Sequence, residues 1–186
     1  STPLPAPDGR VTNTCLVFDD QGRRIGRYDK IHLFDVSVSS SESYSESRHI
    51  APGTEPLAVD ALGLTLGITI CYDLRFPELY RRLAAAGAEL FTIPSAFTVP
   101  TGRAHWHTLL RARAIENLAW VVAPAQVGEH TSGRQTFGHS LIIDPWGAIV
   151  AECAGGPGVI FAQLDRYNVA QRRQQFPALA HRVLDR

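Results

Sequence analysis

The sequence predicts an α/β domain built on a mixed sheet, and three observations carry that prediction. Short apolar runs alternate with helix-period segments through the middle of the chain, roughly residues 57–143. Hairpin signals flank them, Asp19-Asp20-Gln21-Gly22 on one side and Asp144-Pro145-Trp146-Gly147 on the other. At 186 residues with 45% hydrophobic content, the chain is long enough for one real core, and no repeat or compositional break divides residues 1–186. Helix crossovers give parallel pairs and hairpins give antiparallel ones, so the sheet is mixed.

Taken in order, residues 1–10 read as turn-like, and residues 11–18 and 24–32 as two strands around the first hairpin turn. Residues 37–47 are serine-rich and too polar for a core, which makes them a surface loop. A short strand near residues 57–59 leads through Gly63 into an apolar strand over residues 64–71. Pro77 opens a helix that stops at Gly87, the usual placement of proline first and glycine last. Residues 90–93 form a buried strand closed by Pro94. Trp106, Leu109, Leu110, Ala114 and Ile115 fall at helical spacing and predict a helix over residues 104–118. Strands over 119–123 and 140–143, around Ile149 and over 159–164, and a short polar helix near 168–175, complete the chain.

Charge excludes some functions. Eighteen basic and eighteen acidic residues cancel, so no basic field draws nucleic acid and no polybasic stretch anchors the chain to a membrane. No apolar run reaches the length of a membrane span. The three cysteines, Cys15, Cys71 and Cys153, are odd in number, widely spaced and without a secretory segment ahead of them. That predicts a reducing, cytoplasmic setting, with Cys15 and Cys153 as core residues. The chain contains no methionine and opens on Ser1-Thr2-Pro3, which reads either as a processed start or as the continuation of something longer.

Cys71 stands where the apolar strand meets the helix start. A helix N-terminus favours a thiolate and offers backbone N–H groups to an oxyanion, so Cys71 is a candidate nucleophile; the competing reading is a buried structural cysteine. A cysteine nucleophile needs a proton acceptor, an oxyanion partner and activated water. Lys30, ending an otherwise apolar strand, suits the second need or is simply an edge lysine that discourages aggregation. Glu46 sits in the serine-rich loop and by composition is solvated. His105 and His107 form H-x-H with no third ligand evident, so no metal is expected. A Cys-His-Asn site recruiting His139 or His105 with Asn117 lacks the local signatures of such proteases around Cys71.

Five ordered motifs nevertheless resemble one family. They are Asp29-Lys30-Ile31-His32-Leu33-Phe34-Asp35; the run Gly67 to Glu78 around Cys71; Pro94-Ser95-Ala96-Phe97 with Gly102-Arg103-Ala104-His105-Trp106; Leu110-Arg111-Ala112-Arg113-Ala114-Ile115-Glu116-Asn117; and Gly138-His139-Ser140 with Asp144-Pro145-Trp146-Gly147. Together they resemble the nitrilase superfamily of carbon–nitrogen hydrolases, from about Asn13 to the C-terminus. Ala114-Ile115-Glu116 and the run Ala125 to His130 incline the resemblance to the deaminated glutathione amidase branch, with the ω-amidases of 2-oxo dicarboxylic acid monoamides close behind.

The resemblance implies a four-layer α-β-β-α sandwich, here lacking its N-terminal strands and helix, that assembles as a homodimer or larger homo-oligomer. It implies hydrolysis of a small carboxylate-bearing amide to acid and ammonia through a cysteine thioester, without a cofactor. Carried onto this chain, Cys71 is the nucleophile, and Lys30 stabilises the oxyanion with the backbone N–H of Tyr72. Glu46 positions the lysine and the substrate, Arg75 meets a substrate carboxylate, and Phe97 and Thr101 line the acyl pocket. The family's general base is a glutamate on an earlier strand, ahead of everything that matches here, so the catalytic set is expected to be incomplete. That leaves a second expectation, a shortened non-catalytic binding or partner subunit, and a third in which an amine replaces water as acyl acceptor. The serine-rich loop departs from the family's Pro/Gly-containing turn and bears on substrate choice.

Overall fold

The computed structural model describes residues 1–38, 42–131 and 133–184. Its strands are β1 (Thr2–Pro5), β2 (Val11–Phe18), β3 (Arg24–Asp29), β4 (Asp35–Ser37), β5 (Ser43–Ser45), β6 (Ile50–Ala51), β7 (Leu57–Ala61) and β8 (Leu64–Ile68). After β8 come helix α1 (Pro77–Ala85), β9 (Leu90–Thr92) and helix α2 (Val99–Asn117). β10 (Trp120–Ala123), β11 (Val127–Glu129), β12 (Gln135–Phe137), β13 (Ser140–Ile143), β14 (Ile149–Cys153) and helix α3 (Arg166–Gln175) follow.

Six strands form one mixed sheet in the order β14-β13-β10-β9-β8-β7. β8, β9 and β10 run parallel because α1 and α2 carry the chain across between them, while the hairpin-linked pairs β7–β8 and β13–β14 are antiparallel. Alternation along the strands gives each face its own core. Val121, Ala123, Leu141 and Ile143 point to the face covered by Leu79, Tyr80 and Leu83 of α1 and by Trp106, Leu110 and Ala114 of α2. Trp120 and Ile142 point the other way, toward Val169 of α3 and the segment bearing Ile160, Ala162 and Leu164.

A second sheet, β1-β2-β3 with β6 beside β2, packs on that far face where Tyr28, Cys15 and Val17 meet Ile68, Leu57 and Val59. Helices, first sheet and second sheet therefore stack in the order of the expected sandwich, and the α/β class with mixed sheets holds. No helix among the described residues is long and apolar enough to cross a membrane.

Several local expectations change. The apolar strand ends at Ile68, and Cys71–Arg75 form a 3-10 turn. Helix α2 starts at Val99, five residues early, because Pro100 sits in its first turn where a missing N–H costs nothing. Residues 1–10 contain β1, paired antiparallel with β2. The serine-rich stretch is a hairpin, β4 on β5, followed by a 3-10 turn over Glu46–Arg48; Ser39, Ser40 and Ser41 of the predicted loop lie outside the described residues. Residues 159–164 alternate in burial as a strand does yet form no ladder among the described residues. Cys15 and Cys153 are only half-buried.

Candidate active site

Cys71 begins the 3-10 turn with φ 51°, the left-handed region that a side chain with a Cβ enters at a cost of roughly 1–3 kcal/mol. Two contacts hold it there. Its N–H donates to the Pro94 carbonyl at the C-terminal end of β9 (3.0 Å), and Asp73, two residues on, accepts from Ile70 N–H at 2.8 Å. Asp73 is fully buried and accepts from three further groups: Tyr28 Oη (2.7 Å), His32 N–H (3.2 Å) and His32 Nδ1 (2.8 Å). One carboxylate thus binds the turn of the first sheet to β3 and its exit from the second. Burial, with Asp73 beside it, pushes the Tyr28 phenol far up, so that it donates as a neutral hydroxyl.

Lys30 follows β3. Its N–H donates to Asn13 C=O (2.8 Å), and its own C=O accepts from Gly53 N–H (2.9 Å). Only 2% of Lys30 is exposed, which rules out an edge lysine, and its Nζ donates to Glu46 Oε2 at 2.5 Å. That same oxygen accepts from Phe34 N–H at 2.6 Å, so Glu46 is not the solvated glutamate its composition suggests.

These residues meet in one cavity of about 720 Å³. Cys71, Lys30, Glu46, Tyr72, Arg75, Phe97 and Thr101 all line it, so the structure brings together the residues that the family resemblance picks out. Phe97 is buried, and Thr101 Oγ1 lies 2.8 Å from Thr98 Oγ1. Arg75 Nη1 is 3.3 Å from His105 Nδ1, and its guanidinium rests 5.8 Å from the Tyr72 ring centre. Burial pushes the Cys71 thiol up, and Glu46 adds to the rise; Lys30, the Ala96 N–H and Arg134 pull the other way without cancelling it. The resting residue is a thiol, so attack needs a proton acceptor at the moment of reaction.

Other groupings do not form at this cavity. Asn117 is spent on the Arg113 carbonyl, and His105 and His139 do not line the cavity, so no Cys-His-Asn set assembles. His107 does gain partners the sequence did not show: its Nε2 and His139 Nδ1 reach Glu152 Oε1 at 3.0 and 2.7 Å. These two ring nitrogens and the carboxylate oxygen lie within 4.8 Å of one another, so His107 does have companions at a spacing that could hold a metal ion. As placed, the imidazoles hold the Glu152 carboxyl below its ordinary range by hydrogen bonding, His139 more than His107.

Two residues escaped sequence reasoning. Asp73 carried a signal, an acid in the first turn after an apolar strand, where it caps backbone N–H groups. Arg134 carried none, because only the folding of β11 and β12 into a hairpin brings it to the cavity.

Residues 4–174 match the family model described as Carbon-nitrogen hydrolase. The chain belongs to the carbon–nitrogen hydrolase family. A protein of Synechocystis sp. named deaminated glutathione amidase is 46% identical over 184 residues, 97% of this chain and 67% of that protein. The crystal structure of the Caenorhabditis elegans NitFhit protein superposes with a TM-score of 0.90 at 44% identity, over 96% of this chain and 44% of that one. A mutant amidase from a Nesterenkonia species, whose structure shows Michael addition of acrylamide at the active site cysteine, superposes at 0.75 with 28% identity, over 94% of this chain and 66% of that one. This chain therefore spans between under half and two thirds of these relatives.

Proposed function

We propose that this chain carries the thiol chemistry of an amidase. The observation that carries the reading is Cys71, held at a positive φ inside a cavity that also holds a buried lysine–glutamate pair. The Cys71 thiol loses its proton and Sγ attacks the amide carbon, and the charge that develops on oxygen is stabilised by Lys30 Nζ and by Tyr72 N–H. Glu46 fixes the ammonium in place by its second bond to Phe34 N–H. Collapse breaks the C–N bond, and the amine leaves with a proton. Water then attacks the thioester, giving the acid and restoring the thiol. The family resemblance assigns the proton acceptor to a glutamate on a strand preceding the matched region.

Relatives named deaminated glutathione amidase at 43–46% identity support that substrate class. Glutathione's peptide link to cysteinylglycine makes the leaving amine a dipeptide there, whereas an ω-amide releases ammonia. Product analysis separates the two readings. Cys71→Ala is expected to abolish both products while leaving the circular dichroism spectrum and the unfolding midpoint close to those of the parent; turnover retained in that variant rejects the proposal.

A further inference from the structure

Arg75 and Arg134 both line the cavity that holds Cys71, and a chain of contacts joins them around it. The Arg75 guanidinium lies 5.8 Å from the Tyr72 ring; Tyr72 and Phe34 are 5.0 Å apart, as are Phe34 and Tyr44; and the Arg134 guanidinium lies 5.3 Å from the Tyr44 ring. The other way round, Arg75 lies 5.4 Å from the Phe97 ring, and Arg134 Nη2 donates to the carbonyl of Ala96, the neighbouring residue. The result is a collar of aromatic rings with two guanidiniums at separate stations.

Neither guanidinium has a carboxylate partner among the described residues. Glu46, the one carboxylate among the described residues that line the cavity, is already committed to Lys30 and Phe34 N–H. Three cationic side chains, Lys30, Arg75 and Arg134, against that one carboxylate leave the lining with two positive charges, although the whole chain is neutral. Arg134 Nε is buried with no acceptor, an arrangement folded proteins seldom leave without a purpose.

We propose that Arg134 binds a carboxylate on the amine half of the amide while Arg75 holds one on the acyl half, so that the site selects amides that are anionic at both ends. The inference rests on the amidase reading. Arg75 shares the turn of Cys71 and leans on Phe97, which places it beside the acyl wall formed with Thr101. Arg134 comes from the β11–β12 hairpin and leans on Tyr44. The two substituents of an amide carbonyl diverge, so a substrate whose acyl chain points to Phe97 directs its nitrogen substituent elsewhere along the collar, and Arg134 is the cation there. A guanidinium fork held against an aromatic ring suits a planar carboxylate.

The test compares kcat/KM for deaminated glutathione and for its glycinamide form, which lacks only the carboxylate of the amine half. The parent protein is expected to prefer the acid by roughly 10–100-fold, the scale of a charge-assisted bidentate contact. Arg134→Gln is expected to reduce that preference to within about threefold, chiefly through KM. Arg134→Lys is expected to recover part of it, and Arg75→Gln to weaken both substrates while keeping the preference. A preference that survives Arg134→Gln overturns the inference. If a parent protein that includes the strand bearing the general-base glutamate cleaves neither amide, the amidase reading fails instead, and Arg134 is judged by alkylation of Cys71. Arg134→Gln then lowers the rate with iodoacetate relative to iodoacetamide by about fivefold or more if the guanidinium draws carboxylates to the thiol, and an unchanged ratio overturns the inference.

Discussion

The two sheets contribute to the cavity in different ways. The six-stranded sheet is closed on one face by α1 and α2 over a large buried cluster, and it supplies Cys71 at the end of that core. The four-stranded sheet rests on a smaller cluster of Tyr28, Ile68 and Ile70 with half-buried neighbours, and the chain leaving it supplies Lys30. Strained Cys71, the proposed nucleophile, packs against both clusters. Lys30 depends instead on polar contacts, its pair with Glu46 and the backbone bonds around it. Strain at one residue is affordable only when its surroundings over-determine it, whereas a lysine at an oxyanion needs a charge partner more than it needs rigidity.

Asp73 is the place to break that division, because its hydrogen bonds tie the Cys71 turn to Tyr28 and His32. Asp73→Ala leaves several buried donors without an acceptor and is expected to cost about 3 kcal/mol or more in chemical denaturation. A loss below about 1 kcal/mol would mean that the two halves hold together by apolar contact alone. Next in size is Lys30→Ala, expected to lower kcat about 10²–10³-fold. A loss under roughly threefold would remove Lys30 from the oxyanion role. Glu152, on the edge strand β14, should matter least. Its folded pKa is depressed by His139 and His107, so its contribution is present above the ordinary value of 4.5 and is lost as the pH falls through the lower folded value. Glu152→Gln is therefore expected to cost under about 1 kcal/mol near pH 6, a difference that shrinks as the pH is lowered through the acid range.

What the sequence revealed follows the same division. The Cys71 corner, Pro77 at the start of α1 and the parallel crossovers are local signals, and the structure keeps them. Lys30 and Glu46 were ambiguous from their own neighbourhoods, since a buried lysine and a surface one look alike until the chain brings a carboxylate to 2.5 Å. The family resemblance picked them out, Lys30 within a quoted motif and Glu46 outside all five. Residues 159–164 show the limit of periodicity: Ile160, Ala162 and Leu164 alternate inward, but alternation states a burial preference and not a ladder partner. The β11–β12 hairpin was missed because the sequence connecting its strands, residues 130–134, is polar apart from one glycine and its strands are only three residues each.

That hairpin has a firm footing. At Gly102 of α2, a Cβ would stand 2.3 Å from the Phe137 ring, so the bare helix backbone is the seat on which the end of β12 rests. A bulkier residue at 102 would lift the strand, and with it the arm that ends in Arg134. The turn between β11 and β12 can be exchanged or lengthened without touching that seat. This separates the rim of the cavity from its floor as an engineering unit: loop grafts between β11 and β12 alter the proposed contact at Arg134, while the thiol below stays in its original frame.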